Sequence, residues 1–225
     1  MYSLPLDTMK TILTILIATA VAPAQHTQDS EHGHSPRMYL LRVTGHPFQA
    51  EFEETVPSGR PNSSKMASRS SGKLYRDRYG SIRVERAIGG DSGQSVTIAQ
   101  IQNVTSRKAV VLDLTHKLLL MDEQIPGEPA EAGERAWMFY EGLPTYTDEY
   151  KLIEGVRCRR IKMKTSPDGQ PPDVGEVWWS EELRMVLIDT HVEHGRRVNW
   201  QVRRLQQLDP DPSLFEIPED FRRLR

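Results

Sequence analysis

Few residues of this chain have a type and spacing that could do chemistry. His191 and His194 stand together as His-Val-Glu-His, a pair that could ligate a metal. On a strand, residues i and i+3 point to opposite faces, so one ion would reach both only if a turn brought them round. No Gly-x-Ser-x-Gly elbow occurs to expose a nucleophilic serine. Carboxylates are numerous, but pairing two for acid–base work needs a cleft that spacing does not show. Cys158 is the single cysteine. It cannot close an internal disulfide, and with no His placed to activate it a small buried apolar residue is expected. His26, His32 and His34 share a polar stretch, where a solvated tail is expected because metal sites need ligands fixed by a scaffold. Asn62-Ser63-Ser64 and Asn103-Val104-Thr105 fit a glycosylation pattern that chance also produces. No catalytic, metal or cofactor site emerges, so the expectation is a protein that is not an enzyme.

Charge is more informative. The formal net charge is −2, which gives no reason to expect nucleic acid. Locally the signs separate. Arg60, Lys65, Arg69, Lys73, Arg76, Arg78, Arg83 and Arg86 face only Asp77 and Glu85 in their stretch, and residues 157–164 add Arg157, Arg159, Arg160, Lys162 and Lys164. Between Asp122 and Glu154 nine acids oppose Arg135 and Lys151. Intramolecular pairing on a solvated surface accounts for this pattern. If the basic strands are neighbours, Arg76, Arg78, Arg83, Arg157 and Arg159 would instead form a docking face for an acidic partner or lipid headgroup.

The elements that must position these residues are mostly strands. Lys10, the apolar run 12–21 and Ala22-Pro23-Ala24 compose an export signal, with cleavage expected after Ala24 and translation starting at Met1 or Met9. The run is too short to span a bilayer, and no cysteine follows it to carry a lipid. Residues 1–24 are thus expected to be a signal, 25–37 a flexible leader and 38–225 one β-rich domain. Residues 48–56 alternate apolar and polar, as a half-buried strand does. Residues 39–43 fit a short helix or a strand. Hairpins are expected at 72–86 around Gly80, at 109–121 around Thr115-His116, at 150–163 around Glu154-Gly155, and at 185–202 around His194-Gly195. The apolar phase shifts between Cys158 and Ile161, which predicts a β-bulge. Residues 122–150 are assigned to a loop with a short helix over 133–142.

Several stretches resemble a group of exported bacterial proteins related to the lipoprotein carrier and receptor fold (LolA/LolB-like). They are Gly72-Lys73-Leu74-Tyr75-Arg76-Asp77 with Gly80 and 83–85, Ile153-Glu154-Gly155-Val156, Trp178-Trp179-Ser180 with Glu182-Leu183, and Asp209-Pro210-Asp211-Pro212-Ser213-Leu214-Phe215 with Pro218, Asp220 and Phe221. The chain departs from the group at Glu181 and at Arg159-Arg160. The resemblance implies a single curved antiparallel sheet, a half-barrel packed on one or two short helices. The closing motif is expected to be a structural clasp: Pro210, Pro212 and Pro218 stop sheet growth while Leu214, Phe215 and Ile217 pack.

Such a sheet offers an apolar groove. Phe48, Phe52, Val177, Trp179, Val186 and Ile188 are expected to line it and to hold a lipid or lipoprotein acyl chain. The leading expectation is therefore a soluble monomeric carrier, periplasmic or secreted, with no transmembrane span. A sensory or interaction module binding an envelope protein is the alternative, and a hydrolase comes third.

Overall fold

The computed structural model describes residues 43–56, 68–89, 95–125, 145–162, 176–193 and 196–223. The expected signal and leader, Asn62, the helix over 133–142 and His194 lie outside the described residues. The strands are β1 (Phe48–Val56), β2 (Ser68–Arg76), β3 (Ile82–Gly89), β4 (Ser95–Asn103), β5 (Lys108–Asp113), β6 (Leu118–Gln124), β7 (Thr145–Ile153), β8 (Val156–Lys162), β9 (Val177–Ser180), β10 (Met185–Glu193), β11 (Arg196–Gln206) and β12 (Arg222–Arg223). They form one open, curved sheet in the order β12-β6-β5-β4-β3-β2-β1-β11-β10-β9-β8-β7. Every neighbouring pair is antiparallel except β12 with β6. The curved antiparallel sheet is as expected. Among the described residues the only helical piece is a 3-10 turn at Pro212–Phe215, so within them no α-helix backs the sheet.

Local chemistry sets the turns. Asp77 accepts hydrogen bonds from the Tyr79 and Ser81 amides, and Gly80 takes φ +88° in a position that disfavours a side chain. Asp113 accepts from the Thr115 and His116 amides and from the His116 ring, which ends β5 and starts the return to β6. Glu154 and Gly155 take φ +50° and +81°, the two-residue geometry that matches strand twist.

The expected loop 122–150 is corrected at both ends: 122–124 extend β6 and 145–150 belong to β7. Its acids hid Thr145-Tyr146-Thr147, and an edge strand exposed on both faces need not alternate. The bulge expected in β8 between Cys158 and Ile161 is not there: β8 pairs regularly with β9, and the irregularity lies in β7 opposite it. Tyr146 pairs with Ile161 and Tyr150 with Arg159, so three β7 residues oppose Arg160 alone. Further bulges fall at Arg204-Leu205 opposite Ala50, at Leu187, and at Leu120; each adds local bend and twist.

Cross-strand pairing fixes which side chains share a face. One face, the front, carries Phe48, Ala50, Phe52 and Glu54 of β1, Gly72 and Leu74 of β2, and Ile82, Val84, Arg86 and Ile88 of β3. It continues through Val96, Ile98 and Gln100 of β4 to Val111 of β5 and Met121 of β6. The other face, the back, is polar at β1, β2 and β11, where Glu53 pairs with Arg69 and Arg203, and Glu51 with Arg204. On β4–β6 the back is apolar instead. Ala99, Ile101, Val110, Leu112 and Leu119 pack there under Leu214, Phe215, Ile217 and Phe221. The front is thus buried at the sheet centre, while β4 and β5 bury residues on both faces, the back under the C-terminal segment and Ile98 and Val111 on the front.

Candidate ligand-binding face

One apolar surface lacks a full cover of described residues. On the front of β3–β6, Ile98 and Val111 are buried, while Ile88, Val96, Leu120 and Met121 pack against them only half-buried. Strands β4–β6 are apolar on both faces because they carry runs such as Ala109-Val110-Val111-Leu112 rather than strict alternation. The clasp seals the back, so the front residues are the surplus. Toward the sheet centre this strip meets Val84 and the Phe52–Trp200 ring stack, with ring centroids 6.1 Å apart.

Polar side chains mark the boundary between strip and core. Arg86 stands directly between Gly72 and Ile98 in the cross-strand row. Its guanidinium lies 5.1 Å from the Phe52 ring centroid and donates to Glu54 Oε2 at 3.3 Å. The Gln100 amide, half-buried between Val84 and Val111, lies on the same face.

The six residues expected to line a groove fall in one cluster. Phe48, Phe52, Val177, Trp179 and Val186 are all buried there, and Ile188 is partly buried against them. The first five share the front face. The extra residue Leu187 turns Ile188 to the back. They are core rather than open lining, and the half-buried apolar strip lies beside them on β3–β6. The strip was missed because alternation was sought, whereas its signal is a run apolar at successive positions.

The five arginines do not form one face. Arg76 is 0% exposed on the front. Its Nε donates to the His46 carbonyl at 2.9 Å and its Nη2 to the Leu183 carbonyl at 2.6 Å, over the Phe48 ring. Burial lowers its pKa to about 10. Arg83 is buried on the back, bonded to Glu85 at 2.8 Å and to the Leu214 carbonyl. Arg78 is exposed at the turn and bonded to Asp209, whose carboxylate raises its pKa. Arg157 and Arg159 lie on β8, five strands away from β2, because β1, β11, β10 and β9 intervene. There Arg157 lies over the Tyr150 ring at 4.1 Å, and Arg159 over Tyr146 and Tyr150. The acidic stretch is largely paired where it is described: Asp122 with Lys108 and Arg223, Asp148 with Arg159, Glu149 with Arg160. Cys158 is fully buried, and burial pushes its thiol pKa up to about 12.

No protein-family model matches the sequence, and no curated protein matches it. Some solved structures are distantly similar to it. The chain is similar to PNGF-II at 9% identity and TM-score 0.41, covering 80% of this chain and 31% of that one. It is similar to MucB at 11% identity and TM-score 0.41, covering 78% and 58%. A LolA superfamily protein, NE2245 from Nitrosomonas europaea, aligns at 8% identity and TM-score 0.33, covering 78% and 92%. The chain thus spans about a third of PNGF-II and under three fifths of MucB. Likeness of this degree carries no argument about activity. Among the described residues no helix is long and apolar enough to cross a membrane.

Proposed function

We propose that this protein is a non-catalytic binding or carrier protein that holds an acyl chain, or another hydrophobic ligand, against the front of β3–β6. The observation that carries this reading is the half-buried strip Ile88, Val96, Leu120 and Met121 over Ile98 and Val111, on strands whose back is already sealed. Each methylene removed from water contributes about 0.8 kcal/mol. Six methylenes on this strip would contribute about 5 kcal/mol before the cost of association. The N-terminal signal pattern supports export of the mature protein. Native mass spectrometry after gentle purification, together with titration of a fluorescent fatty acid, tests the reading. Uptake by the natural sequence, and its loss in Val96→Asp and Met121→Asp with unchanged melting, is the expected result. Ligand-free protein that never binds the probe would sink it.

A protein-interaction role is the second reading, and one observation favours it. Tyr146, Tyr150 and Leu152 are large apolar side chains left exposed on β7, and Leu152 is 74% exposed. Arg157 and Arg159 lie across those tyrosines. Reversal of both charges should remove a pull-down partner if this surface makes the contact.

A further inference from the structure

An open sheet has two edges, and among the described residues only one of them is covered. At one edge β12 lies along β6; at the other, β7 has no described strand beyond it. The two halves of β7 differ. Thr147, Asp148 and Glu149 oppose Arg160 alone, and such a bulge blunts an edge. Tyr150 to Ile153 instead pair residue for residue with β8 and end in the two-residue turn Glu154-Gly155. The closing pair of such a hairpin, Ile153 with Val156, exchanges both backbone bonds, so the next pair, Leu152 with Arg157, exchanges none. Leu152 therefore turns its N–H and C=O to the open edge, beside a side chain that is 74% exposed. Opposite charges stand on either side of it. Arg157 lies over the Tyr150 ring and Glu154 sits in the turn. Both are exposed, and neither has an ion-pair partner among the described residues.

We infer that this edge pairs with a second copy of the chain, β7 against β7, antiparallel about a two-fold axis at Leu152; the inference rests on the protein-interaction reading of this surface and names its partner. It departs from the monomer expected from the sequence. Self-complementary charge decides the occupant. With Leu152 opposite Leu152, Glu154 of the second copy stands opposite Tyr150, whose ring carries the Arg157 guanidinium 4.1 Å from its centroid. The two-fold axis repeats the contact, so two ion pairs close on either side of an apolar centre. Moving the axis by one residue to Lys151 would set Lys151 against Lys151 and Glu154 against Asp148, and like charges directly opposite destabilise a strand pair. An anionic lipid surface fits less well, because the exposed Asp148 and Glu154 flank the same edge.

The test is sedimentation velocity of the full chain over a range of concentrations. A contact of a few residues a side makes a weak dimer, so half-association is expected near about 50 µM. Arg157→Glu and Glu154→Arg each place like charges in both ion pairs. Each should weaken association at least about tenfold while the melting temperature stays unchanged. The backbone accepts arginine at position 154, since Arg107 and Arg184 already take φ +56° and +48°. Mixed in equal amounts, the two variants should form a heterodimer although neither pairs with itself, because every glutamate then meets an arginine. Leu152→Pro removes the outward donor without touching the ladder to β8, and it should also abolish pairing. A natural chain that stays monomeric up to about 500 µM overturns the inference, as that is about ten times the expected midpoint. A dimer that both charge variants leave unchanged overturns it too, as do two monomeric variants that fail to complement when mixed. The parent reading is tested apart from this one. If the natural chain is monomeric but reversal of Arg157 and Arg159 removes a pull-down partner, self-pairing falls and the interaction surface stands; if it is monomeric and no partner is lost, both fall.

Discussion

At the scale of single residues, the sheet centre depends on what glycine lacks. A Cβ at Gly72 would meet the Glu85 carbonyl oxygen at 2.0 Å and the Phe52 ring at 2.4 Å. The ring lies across the bare β2 backbone and covers it, as aromatic side chains do over strand glycines. Gly72→Ala should cost about 3 kcal/mol through overpacking and lower the melting temperature by about 10 °C. A thermal melt checks this, and an unchanged midpoint would show that the ring can move aside. Arg76 solves a different problem: its fork joins two carbonyls on distant segments, which a single ammonium would not reproduce. Cys158 is a packing residue. Its thiol pKa rises from 9.0 to about 12 by burial, so the folded chain holds that proton when an unfolded one would release it. The associated stability is therefore complete below about pH 9 and lost as pH rises toward about 12. An aromatic disulfide reagent at mildly alkaline pH should react with it only when denaturant unfolds the protein.

At the scale of elements, the C-terminal segment 209–223 acts as a clasp. Phe215 enters the back cluster, Arg83 and Asn103 donate to the Leu214 and Phe215 carbonyls, and the Arg222 amide bonds to Lys117. Phe215→Ala should cost about 3–5 kcal/mol, measured by denaturant unfolding. Surface carboxylates also hold the clasp. The Ser213 amide keeps Asp211 below the usual carboxylate range, and the Lys117 ammonium does the same for Asp220. Depressed values mean that the stabilisation is present above the unfolded value of 3.8 and is lost as pH falls through the folded ones. Hydrogen exchange at the Leu214, Glu216 and Phe221 amides, corrected for intrinsic rate, should therefore lose protection below about pH 4 before β2 does. Equal loss in both would mean that these contacts add nothing. No strand is formed between Gln206 and Arg222, the span that holds the three prolines, and the chain then rejoins the sheet as the short parallel β12, which covers the β6 edge.

At the scale of the whole molecule, β4 and β5 are apolar on both faces, and the proposed binding surface is the half-buried part of their front. Ligands should raise the melting temperature in proportion to occupancy when offered to the natural sequence. Substitutions on the polar back of β1 and β11, such as Gln201→Ala, should leave that shift unaltered. A differential scanning experiment with and without a bound acyl ligand distinguishes the faces. If the back substitution abolished the shift, the ligand would lie elsewhere.

The strands and turns were legible in the chain because they are local. Apolar alternation at 48–52, Asp77 with Gly80, and Glu154-Gly155 fix conformation over a few residues, whatever the rest does. The clasp was legible for the same reason, since proline removes a donor wherever it stands. β7 was obscured because solvent on both its faces leaves no apolar period. The proposed site was not legible, because strand order decides it. Arg86 meets Glu54 only through β2 between them, and the five arginines scatter because five strand steps separate β2 from β8. Composition and spacing determined that this protein is a curved antiparallel sheet. Only the tertiary pairing decided which apolar residues became core and which stayed open, because burial depends on what packs opposite and a strand alone does not specify its neighbour.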